Sequence, residues 1–254
     1  MKPPFATVSL PPSNVAYFAH PDTVLEYTRV AANTGLWESE RLLCEQYFPK
    51  DRPLLELGCG AGRVALGLWE NGWRHITAID FSPPMIEAAR EVALARNADV
   101  TFAVGNAVSL SFDAEQFQSV IFAFNGLMMI PSAAQREAAL HETYRVLAKG
   151  GVMIFTGHER DTPRNAARWR AEQKRWEAGN RDRTLEKFGD RACMTDAGRM
   201  FIHVAAREET HALAERCGFE VLFCAMRSEI CSEPATVHAF SDDTRFWVLR
   251  KNGN

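Results

Sequence analysis

Apolar and polar positions between residues 53 and 157 follow two alternating patterns. Short apolar runs predict strands, and the segments between them carry apolar residues at the spacing of one helix face. Strands that alternate with helices favour parallel βαβ units with right-handed crossovers. The runs that predict strands are "RPLLELG", "HITAID", "VTFAVGN", "SVIFAFN" and "VMIFTG".

Capping and stop signals predict where the helices of this region begin and end. Ser82, which two prolines follow, predicts the start of one helix, and Ser132 predicts the start of another. Gly150 and Gly151 predict the end of the later helix, directly before the fifth strand. A further helix is expected to continue from Arg63, immediately after a glycine-rich turn.

The N-terminal segment carries a different pattern. Two helices are expected between 21 and 48, with a break at Gly35. We therefore divide the chain into a tail with cap helices at 1–52 and a core at 53–254. Prolines argue against a helix in the first twenty residues. They are Pro3, Pro4, Pro11 and Pro12.

Residues 162–205 interrupt the alternation of strands and helices. A charged helix with Trp169 and Trp176 comes first, followed by extended and poorly periodic chain. We expect this segment to be an insertion over the carboxyl edge of the sheet. After it, the pattern predicts a helix that stops at Gly218, one strand and a final strand.

Composition and charge narrow the class of protein. Hydrophobic residues make up 46% and charged residues 24% of the 254 positions, which is typical of a folded globular chain. The net charge of −3 gives no global cationic field, so a nucleic-acid partner is disfavoured. The six cysteines show no CxxC pair, and we expect reduced thiols. No signal peptide or membrane span is recognised, so we expect a cytoplasmic protein.

The glycines after the first predicted strand suggest a ligand site. In "LELGCGAGR", Gly58, Gly60 and Gly62 allow a tight turn and a close approach of backbone to a ligand. The third glycine comes one residue too early for the dinucleotide fingerprint GxGxxG. Arg63 and Val64 do not supply the Lys and Ser/Thr of a phosphate-binding loop.

An acidic residue ends the second predicted strand. Asp80 lies about 20 residues beyond the glycines, where a carboxylate can accept hydrogen bonds from both hydroxyls of a ribose. A simpler alternative is that Asp80 caps the helix that follows. Together with the glycine spacing, Asp80 points to a ligand that contains a nucleoside but no pyrophosphate.

These residues resemble the class I S-adenosylmethionine-dependent methyltransferases. An acidic residue before GxGxG is that family's first motif, and Glu56 with the three glycines matches it. The resemblance covers 53–157 well and the C-terminal part loosely. It implies a Rossmann-like α/β fold with a doubly wound, mostly parallel seven-stranded sheet whose last strand is antiparallel. Further matching segments are "FNGLMMIP", "REAALHETYRVLAKGGVMIF" and "REETHALAERCGFEV".

The resemblance also implies roles for particular residues, with S-adenosylmethionine as the cofactor. The glycines would follow its methionine part, Asp80 its ribose, Phe81 and Met85 its adenine, and Phe124 and Asn125 its sulfonium. Asn106 stands where the family often has an Asp, and its amide oxygen can still accept from the adenine amino group. Ordinary packing is an alternative for Phe81 and Met85. The expected cofactor-binding set is Gly58, Gly60, Gly62, Arg63, Asp80, Phe81, Met85, Asn106, Ala107, Phe124 and Asn125.

Methyl transfer from a sulfonium is an in-line displacement, in which the protein mainly has to position the acceptor and exclude water. His158, after the fifth strand, is the candidate catalytic base, and His203 is a second candidate. Packing is an alternative for both histidines. No metal is expected, because nothing in the sequence brings the nearby acids together. These are Glu159, Asp161, Asp242 and Asp243.

The insertion leaves two interpretations of the acceptor open. Eight basic and four acidic residues lie between 164 and 187, which fits a solvated lid helix or an anion-binding surface. We expect a small-molecule acceptor, and the alternative is an RNA or protein methyltransferase. A non-catalytic module that binds S-adenosylmethionine and, more remotely, a nicotinamide dehydrogenase are the other hypotheses. The sequence leaves the acceptor, the methylated atom and the oligomeric state open.

Overall fold

The computed structural model describes residues 12–253, and ten α-helices and nine β-strands lie within them. A 3₁₀ turn at Gly126–Met129 follows β4. The helices are α1 Pro12–Ala19, α2 Pro21–Asn33, α3 Glu38–Tyr47, α4 Arg63–Glu70, α5 Pro83–Ala95, α6 Ala133–Val146, α7 Ala166–Glu177, α8 Arg207–Arg216, α9 Arg227–Ile230 and α10 Ala235–Phe240. The strands are β1 Leu54–Leu57, β2 Ile76–Asp80, β3 Thr101–Val104, β4 Phe117–Phe122, β5 Leu147–Gly157, β6 Asp190–Thr195, β7 Gly198–His203, β8 Phe219–Met226 and β9 Arg245–Lys251.

Seven strands form one sheet in the order β3-β2-β1-β4-β5-β9-β8. β9 is antiparallel to both of its neighbours, and the other pairs in the sheet are parallel. The seven-stranded sheet with an antiparallel last strand is therefore confirmed. The strand order reverses between β1 and β4, and in such sheets the crevice at that point is where ligands bind.

The core consists of an apolar layer on each face of this sheet. Successive residues of a strand point to opposite faces, and β1 is buried on both. Leu55 and Leu57 belong to one apolar cluster, whereas Leu54 belongs to the other. Burial on both faces explains why "LLEL" is almost continuously apolar rather than alternating.

Three helices rather than two precede β1 within the described residues. The expectation that prolines exclude a helix before residue 21 was wrong for α1, which begins at Pro12. Proline is tolerated in the first turn of a helix, where its missing N–H has no intrahelical partner. α1 is held by Asn14, whose amide donates to the carbonyl oxygen of Met129 at 2.6 Å. Pro3, Pro4 and Pro11 lie outside the described residues.

The end of α6 also differs from the sequence prediction. The helix ends at Val146, and Gly150 and Gly151 lie inside β5 instead of stopping the helix. The pairing between β4 and β5 shifts register across Phe117 and Ser119, and Gly150 has a left-handed φ of +73° beside that shift. The two glycines thus mark an irregularity in a strand, which is a frequent position for glycine.

The insertion consists of α7, which the sequence predicted as a charged helix, and a hairpin in the part that was predicted as extended, poorly periodic chain. β6 and β7 pair as antiparallel strands around a turn that contains Gly198, with φ of +111°. The connection between β8 and β9 also contains α9 and α10, which the sequence did not reveal. The division into 1–52 and 53–254 stays a prediction.

None of the helices between residues 12 and 253 combines the length and apolar character needed to cross a bilayer.

A buried ion pair joins the N-terminal helices to the core. The guanidinium of Arg63, the first residue of α4, donates to both carboxylate oxygens of Glu40 at 2.6 Å. Arg63 also donates to the carbonyl oxygen of Gly35, and Glu40 accepts from the backbone N–H of Trp37. α3 and the turn before it are therefore fastened to the start of α4.

Replacing one member of this pair should destabilise the protein. Glu40→Gln leaves the charge of Arg63 buried without its counter-charge, and we expect a loss of about 3 kcal/mol in the free energy of unfolding. Glu220→Gln is the matched control, because its partner Arg250 is half exposed, and we expect a loss below about 1 kcal/mol. Urea unfolding of both variants measures the difference. Equal losses would contradict the role of the buried pair.

Candidate functional site

A cavity opens at the carboxyl ends of β1, β2 and β4, where the strand order reverses. The space that the centre of a water molecule can occupy in it is about 110 Å³. Its wall combines the glycine turn, the acid at the end of β2, and aromatic residues from α1, α2 and α10. The lining includes Asn14, Phe18, Tyr27, Glu56, Gly58, Gly60, Arg63, Asp80, Phe81, Asn106, Ala107, Phe124, Met129, Ile130 and Phe240.

The glycine turn after β1 contributes backbone to the cavity wall. Gly58, Gly60 and Gly62 have φ of +62°, +52° and +86°, a left-handed conformation that other residues rarely adopt. A Cβ at Gly58 would lie 2.8 Å from the Phe122 ring, and one at Gly60 would lie 3.3 Å from the Tyr27 ring. Gly62 lies outside the lining, and a Cβ there would meet Phe102 at 3.0 Å. Gly62 therefore serves the packing of α4.

The carboxylate of Asp80 lies at the cavity and is held by backbone N–H groups. Oδ2 accepts from Gly60 at 2.9 Å, and Oδ1 accepts from Ser82 at 2.9 Å. Burial raises the pKa of Asp80 to about 6, and the backbone N–H donors partly oppose this shift. Each oxygen keeps a lone pair after its bond, so the carboxylate can accept two more donors. The bond to Ser82 is a local turn before α5, whose N-cap is Ser82 itself, so Asp80 does not cap that helix.

Glu56 is a second buried acid on the wall. Its Oε2 accepts from the backbone N–H of Ala65 at 2.8 Å, so it links β1 to the first turn of α4. Burial raises the pKa of Glu56 to about 8, although the charge of Arg63 opposes the shift. Glu56 is therefore mostly protonated near neutral pH in the free protein, and its side chain can then donate as well as accept.

The residues predicted to contact adenine are divided between the wall and the core. Phe81, Asn106 and Ala107 line the cavity. Met85 does not, because it is fully buried among core residues on the inner face of α5. Asn106 Oδ1 accepts from the backbone N–H of Val108 at 3.0 Å, which leaves one lone pair for a ligand.

Phe124 and Asn125, directly after β4, both adopt left-handed backbone conformations, with φ of +48° and +63°. Such conformations cost about 1 kcal/mol or more for residues other than glycine and are concentrated at functional sites. Phe124 lines the cavity, whereas Asn125 is turned away from it and is buried. The backbone N–H of Asn125 donates to Thr156 Oγ1 at 2.9 Å. This bond ties the turn to β5.

His158 lies behind this turn rather than on the cavity wall. Its Nε2 is 3.3 Å from Asn125 Nδ2. Burial lowers the pKa of His158, and the nearby charge of Asp242 partly opposes the shift, so the imidazole is neutral at pH 7. The structure thus places the candidate base one side chain away from the cavity.

Aromatic rings cover the cavity on the side of the N-terminal helices and α10. Phe124 stacks on Phe240 with ring centroids 5.1 Å apart, and Tyr27 meets both rings edge-on at 6.1 Å. Phe18 packs edge-on against Phe81 at 5.8 Å. The sequence predictions missed Phe18 and Phe240, because no local pattern relates residues so far apart to the glycine turn.

The other candidate residues are engaged elsewhere. His203 is buried between Asp190 and Glu209, at 2.7 and 3.1 Å from their carboxylate oxygens, and lies outside the cavity lining. Glu159 pairs with Arg245, and Asp243 accepts from Ser228. Across residues 12–253, the one grouping of potential metal ligands does not include the acids of the sequence analysis. It consists of Glu137, His141 and Cys217.

Comparison with known proteins shows what the central part of the chain is similar to. A family model described as "Methyltransferase domain" matches residues 54–151. A demethylmenaquinone methyltransferase of Thermus thermophilus is 38% identical over 102 residues, which is 40% of this chain and 44% of that protein. A malonyl-[acyl-carrier protein] O-methyltransferase of Salmonella typhimurium is 34% identical over 103 residues, or 41% of this chain and 38% of that protein. The chain thus spans less than half the length of these relatives.

The fold comparison extends over most of the chain. A solved S-adenosylmethionine-dependent methyltransferase from Methanosarcina mazei superposes with a TM-score of 0.69 and 20% identity. The superposition covers 87% of this chain and 100% of that protein. The matched domain at 54–151 contains the glycine turn after β1 and the strands β1 to β4 of the sheet. Residues 54–151 therefore match a methyltransferase domain, and the fold of the chain is similar to that of a solved S-adenosylmethionine-dependent methyltransferase.

Proposed function

We propose that this protein transfers the methyl group of S-adenosylmethionine to a small-molecule acceptor by in-line displacement. The observation that carries the proposal is a cavity whose wall combines a glycine turn and a buried carboxylate with aromatic and aliphatic side chains. A nucleoside cofactor and an apolar acceptor would thus meet within one cavity.

The residues of the glycine turn and those after β2 and β3 fit the cofactor. Gly58 and Gly60 expose backbone to the cavity because neither carries a Cβ. Asp80 has two free lone pairs for the ribose hydroxyls, and Phe81 offers an apolar face for the adenine. Asn106 keeps an acceptor for the amino group. When bound, the cofactor supplies an activated methyl group, and the chain's task is to orient it and exclude water.

The apolar part of the cavity wall fits an apolar acceptor. It consists of aromatic and aliphatic side chains, which include Tyr27, Phe124, Met129, Ile130 and Phe240. One protein to which the chain is similar is a demethylmenaquinone methyltransferase, and demethylmenaquinone is a quinone. We infer that the acceptor presents a flat apolar surface to the rings.

Ion pairs neutralise part of the positive charge of the insertion. Three of its cations lie in ion pairs with acids of the described structure. Arg199 pairs with Asp182, Lys187 with Glu209, and Arg175 with Glu172. This pairing supports a small molecule over a polyanion as the acceptor.

His158 is the candidate base for an acceptor that must lose a proton. It would act after a rotation of the Asn125 side chain, since it does not line the cavity. Because its pKa is lowered, the imidazole is already in the proton-accepting form at neutral pH.

The reaction can be identified by label transfer. The purified protein is incubated with methyl-deuterated S-adenosylmethionine and a small-metabolite extract, and untargeted mass spectrometry searches for a labelled product. We expect a labelled small molecule that an Asp80→Ala variant does not form. Label that appears only in RNA or protein would support the macromolecular alternative. Cofactor binding with no label anywhere would support a non-catalytic binding module.

Two substitutions test the placement of the cofactor. Asp80→Ala removes charged acceptors of two ribose hydroxyls, whereas Asn106→Ala removes one neutral acceptor. We expect the first to weaken binding of S-adenosylhomocysteine by about tenfold more than the second. Isothermal calorimetry measures both dissociation constants. Equal losses would contradict the placement of the ribose on Asp80.

Binding of S-adenosylhomocysteine should depend on pH through Asp80. The ribose hydroxyls donate to the ionised carboxylate, so the ligand prefers the form that exists above the pKa of about 6. Below that pH, the dissociation constant should rise by up to about tenfold for each unit of pH, and above it the constant should level off. Asp80→Asn should remove this dependence. A flat wild-type profile between pH 5 and 7.5 would overturn the assignment.

A further inference from the structure

Two buried nitrogen donors without a hydrogen-bond partner lie beside the aromatic wall of the cavity. They are Trp37 Nε1 and Arg227 Nη1, and neither finds an acceptor within the described residues. Both side chains are almost fully buried, with 2% and 1% of their surface exposed. A buried donor that lacks an acceptor costs free energy, so each calls for a partner that the free chain does not provide.

Arg227 is a buried cation without a counter-charge. Its Nη2 donates to the carbonyl oxygen of Ser241 at 2.9 Å, but no carboxylate pairs with it in the part of the chain that the structure describes. The segment before residue 12 contains no Asp or Glu that might serve as a partner. Buried arginines are normally paired, because removing the charge from water is costly.

Arg227 and Trp37 do not line the cavity but lie behind its wall at Phe124. The Trp37 ring lies between two guanidinium groups, with Arg63 Cζ 4.3 Å and Arg227 Cζ 5.1 Å from the ring centroid. The same ring meets the cavity residue Phe124 edge-on at 5.6 Å. Glu40 already neutralises Arg63. The positive charge that remains beside Phe124 is therefore that of Arg227.

The position of Arg227 in the fold agrees with a ligand-binding role. It directly follows β8, so it lies at the carboxyl edge of the sheet, where the cavity also opens. Its backbone N–H donates to the carbonyl oxygen of Thr244 at 2.8 Å, just before β9. The guanidinium is thus presented by a short helix that is anchored at its first residue.

We propose that Arg227 and the indole N–H of Trp37 form a carboxylate-binding subsite beside Phe124. A carboxylate has two oxygens that can accept from Nη1 and Nε1, and its charge would balance the guanidinium. The proposal rests on the proposed function for the origin of the carboxylate. That group belongs either to the amino-acid part of the cofactor or to the acceptor, and the experiment separates the two sources.

The first arm compares two nucleosides by calorimetry. S-adenosylhomocysteine carries the amino-acid carboxylate, whereas 5′-methylthioadenosine has the same nucleoside and thioether without it. If the cofactor is the source, Arg227→Gln weakens binding of S-adenosylhomocysteine by about tenfold or more and leaves binding of 5′-methylthioadenosine unchanged. Arg227→Lys should lie between the wild type and Arg227→Gln, since it keeps the charge but loses the fork of donors.

The second arm uses benzoate and its neutral counterpart benzamide, with the protein saturated with S-adenosylhomocysteine. The Trp37 indole N–H resonance, identified by its absence in Trp37→Phe, reports on the subsite. If the acceptor is the source, benzoate shifts this resonance and benzamide does not. Arg227→Gln should then raise the benzoate dissociation constant by about tenfold.

Matched variants keep the test decisive. Arg216→Gln, on the exposed side of α8, serves as a control and should change none of the four affinities. Trp37→Phe keeps an aromatic ring and removes only the donor, so it tests the subsite even if Arg227→Gln does not fold. For Trp37→Phe, we expect a severalfold loss of affinity, and only for the ligand that carries the carboxylate.

Two results would overturn the subsite. One is an equal loss of affinity for the ligand with the carboxylate and for its counterpart without it, which would show a purely structural role of the residue. The other is no effect of Arg227→Gln or Trp37→Phe on any ligand. Failure of the wild type to bind either nucleoside would instead contradict the proposed function, and the benzoate arm, repeated without nucleoside, would still decide the subsite.

Discussion

The parallel strands β1 and β4 lie side by side, but the chain leaves them toward opposite faces of the sheet, and the cavity exists because of this divergence. The backbone after β1 must turn at once into α4, which requires the left-handed glycines of "GCGAG". The backbone after β4 must turn away just as sharply, and here Phe124 and Asn125 adopt the left-handed conformation without being glycines. The fold therefore places left-handed backbone on both sides of the same opening, and this backbone is strained at Phe124 and Asn125.

The strain at Phe124 and Asn125 is offset locally. The N–H of Asn125 bonds to Thr156, and the Phe124 ring is held among Tyr27, Trp37 and Phe240. Each ring pair contributes about 0.5–1.5 kcal/mol beyond its area burial, which is comparable to the cost of the backbone conformation. The turn thus stays in place only while the N-terminal helices and α10 cover it. The helices that cover the cavity therefore also hold the backbone of Phe124 and Asn125 in its left-handed conformation.

Buried charge is distributed unequally along the cavity. At the glycine turn, Glu40 balances Arg63, while Glu56 and Asp80 have no cation of their own and respond with raised pKa values. Behind Phe124, Arg227 has no paired carboxylate within residues 12–253. Desolvation of an isolated charge costs more than a typical hydrogen bond returns, so these groups require ligand contacts or a change of protonation. A ligand with hydroxyl donors and a carboxylate would satisfy both.

The sequence by itself determined the order of strands and helices in the core and the position of the glycine turn and Asp80. These features depend on residues that are close together in the chain, such as the period of the apolar positions and the turn that ends a strand. The sequence alone therefore shows them. The chain's own pattern also indicated the insertion. It did not indicate α1, because proline at a helix start and proline that breaks a helix look the same in a sequence.

Only the tertiary structure decided which residues reach the cavity. Phe81 lines it, whereas Met85, one helical turn further on, is buried in the core, because α5 presents one face to the sheet. Phe18, Trp37, Arg227 and Phe240 come from four separate segments and meet beside Phe124 or above the glycine turn. Their neighbours are set by how α1, α3, α9 and α10 pack across the edge of the sheet. Residues so far apart in the chain come into contact through tertiary packing, which no local sequence pattern indicates.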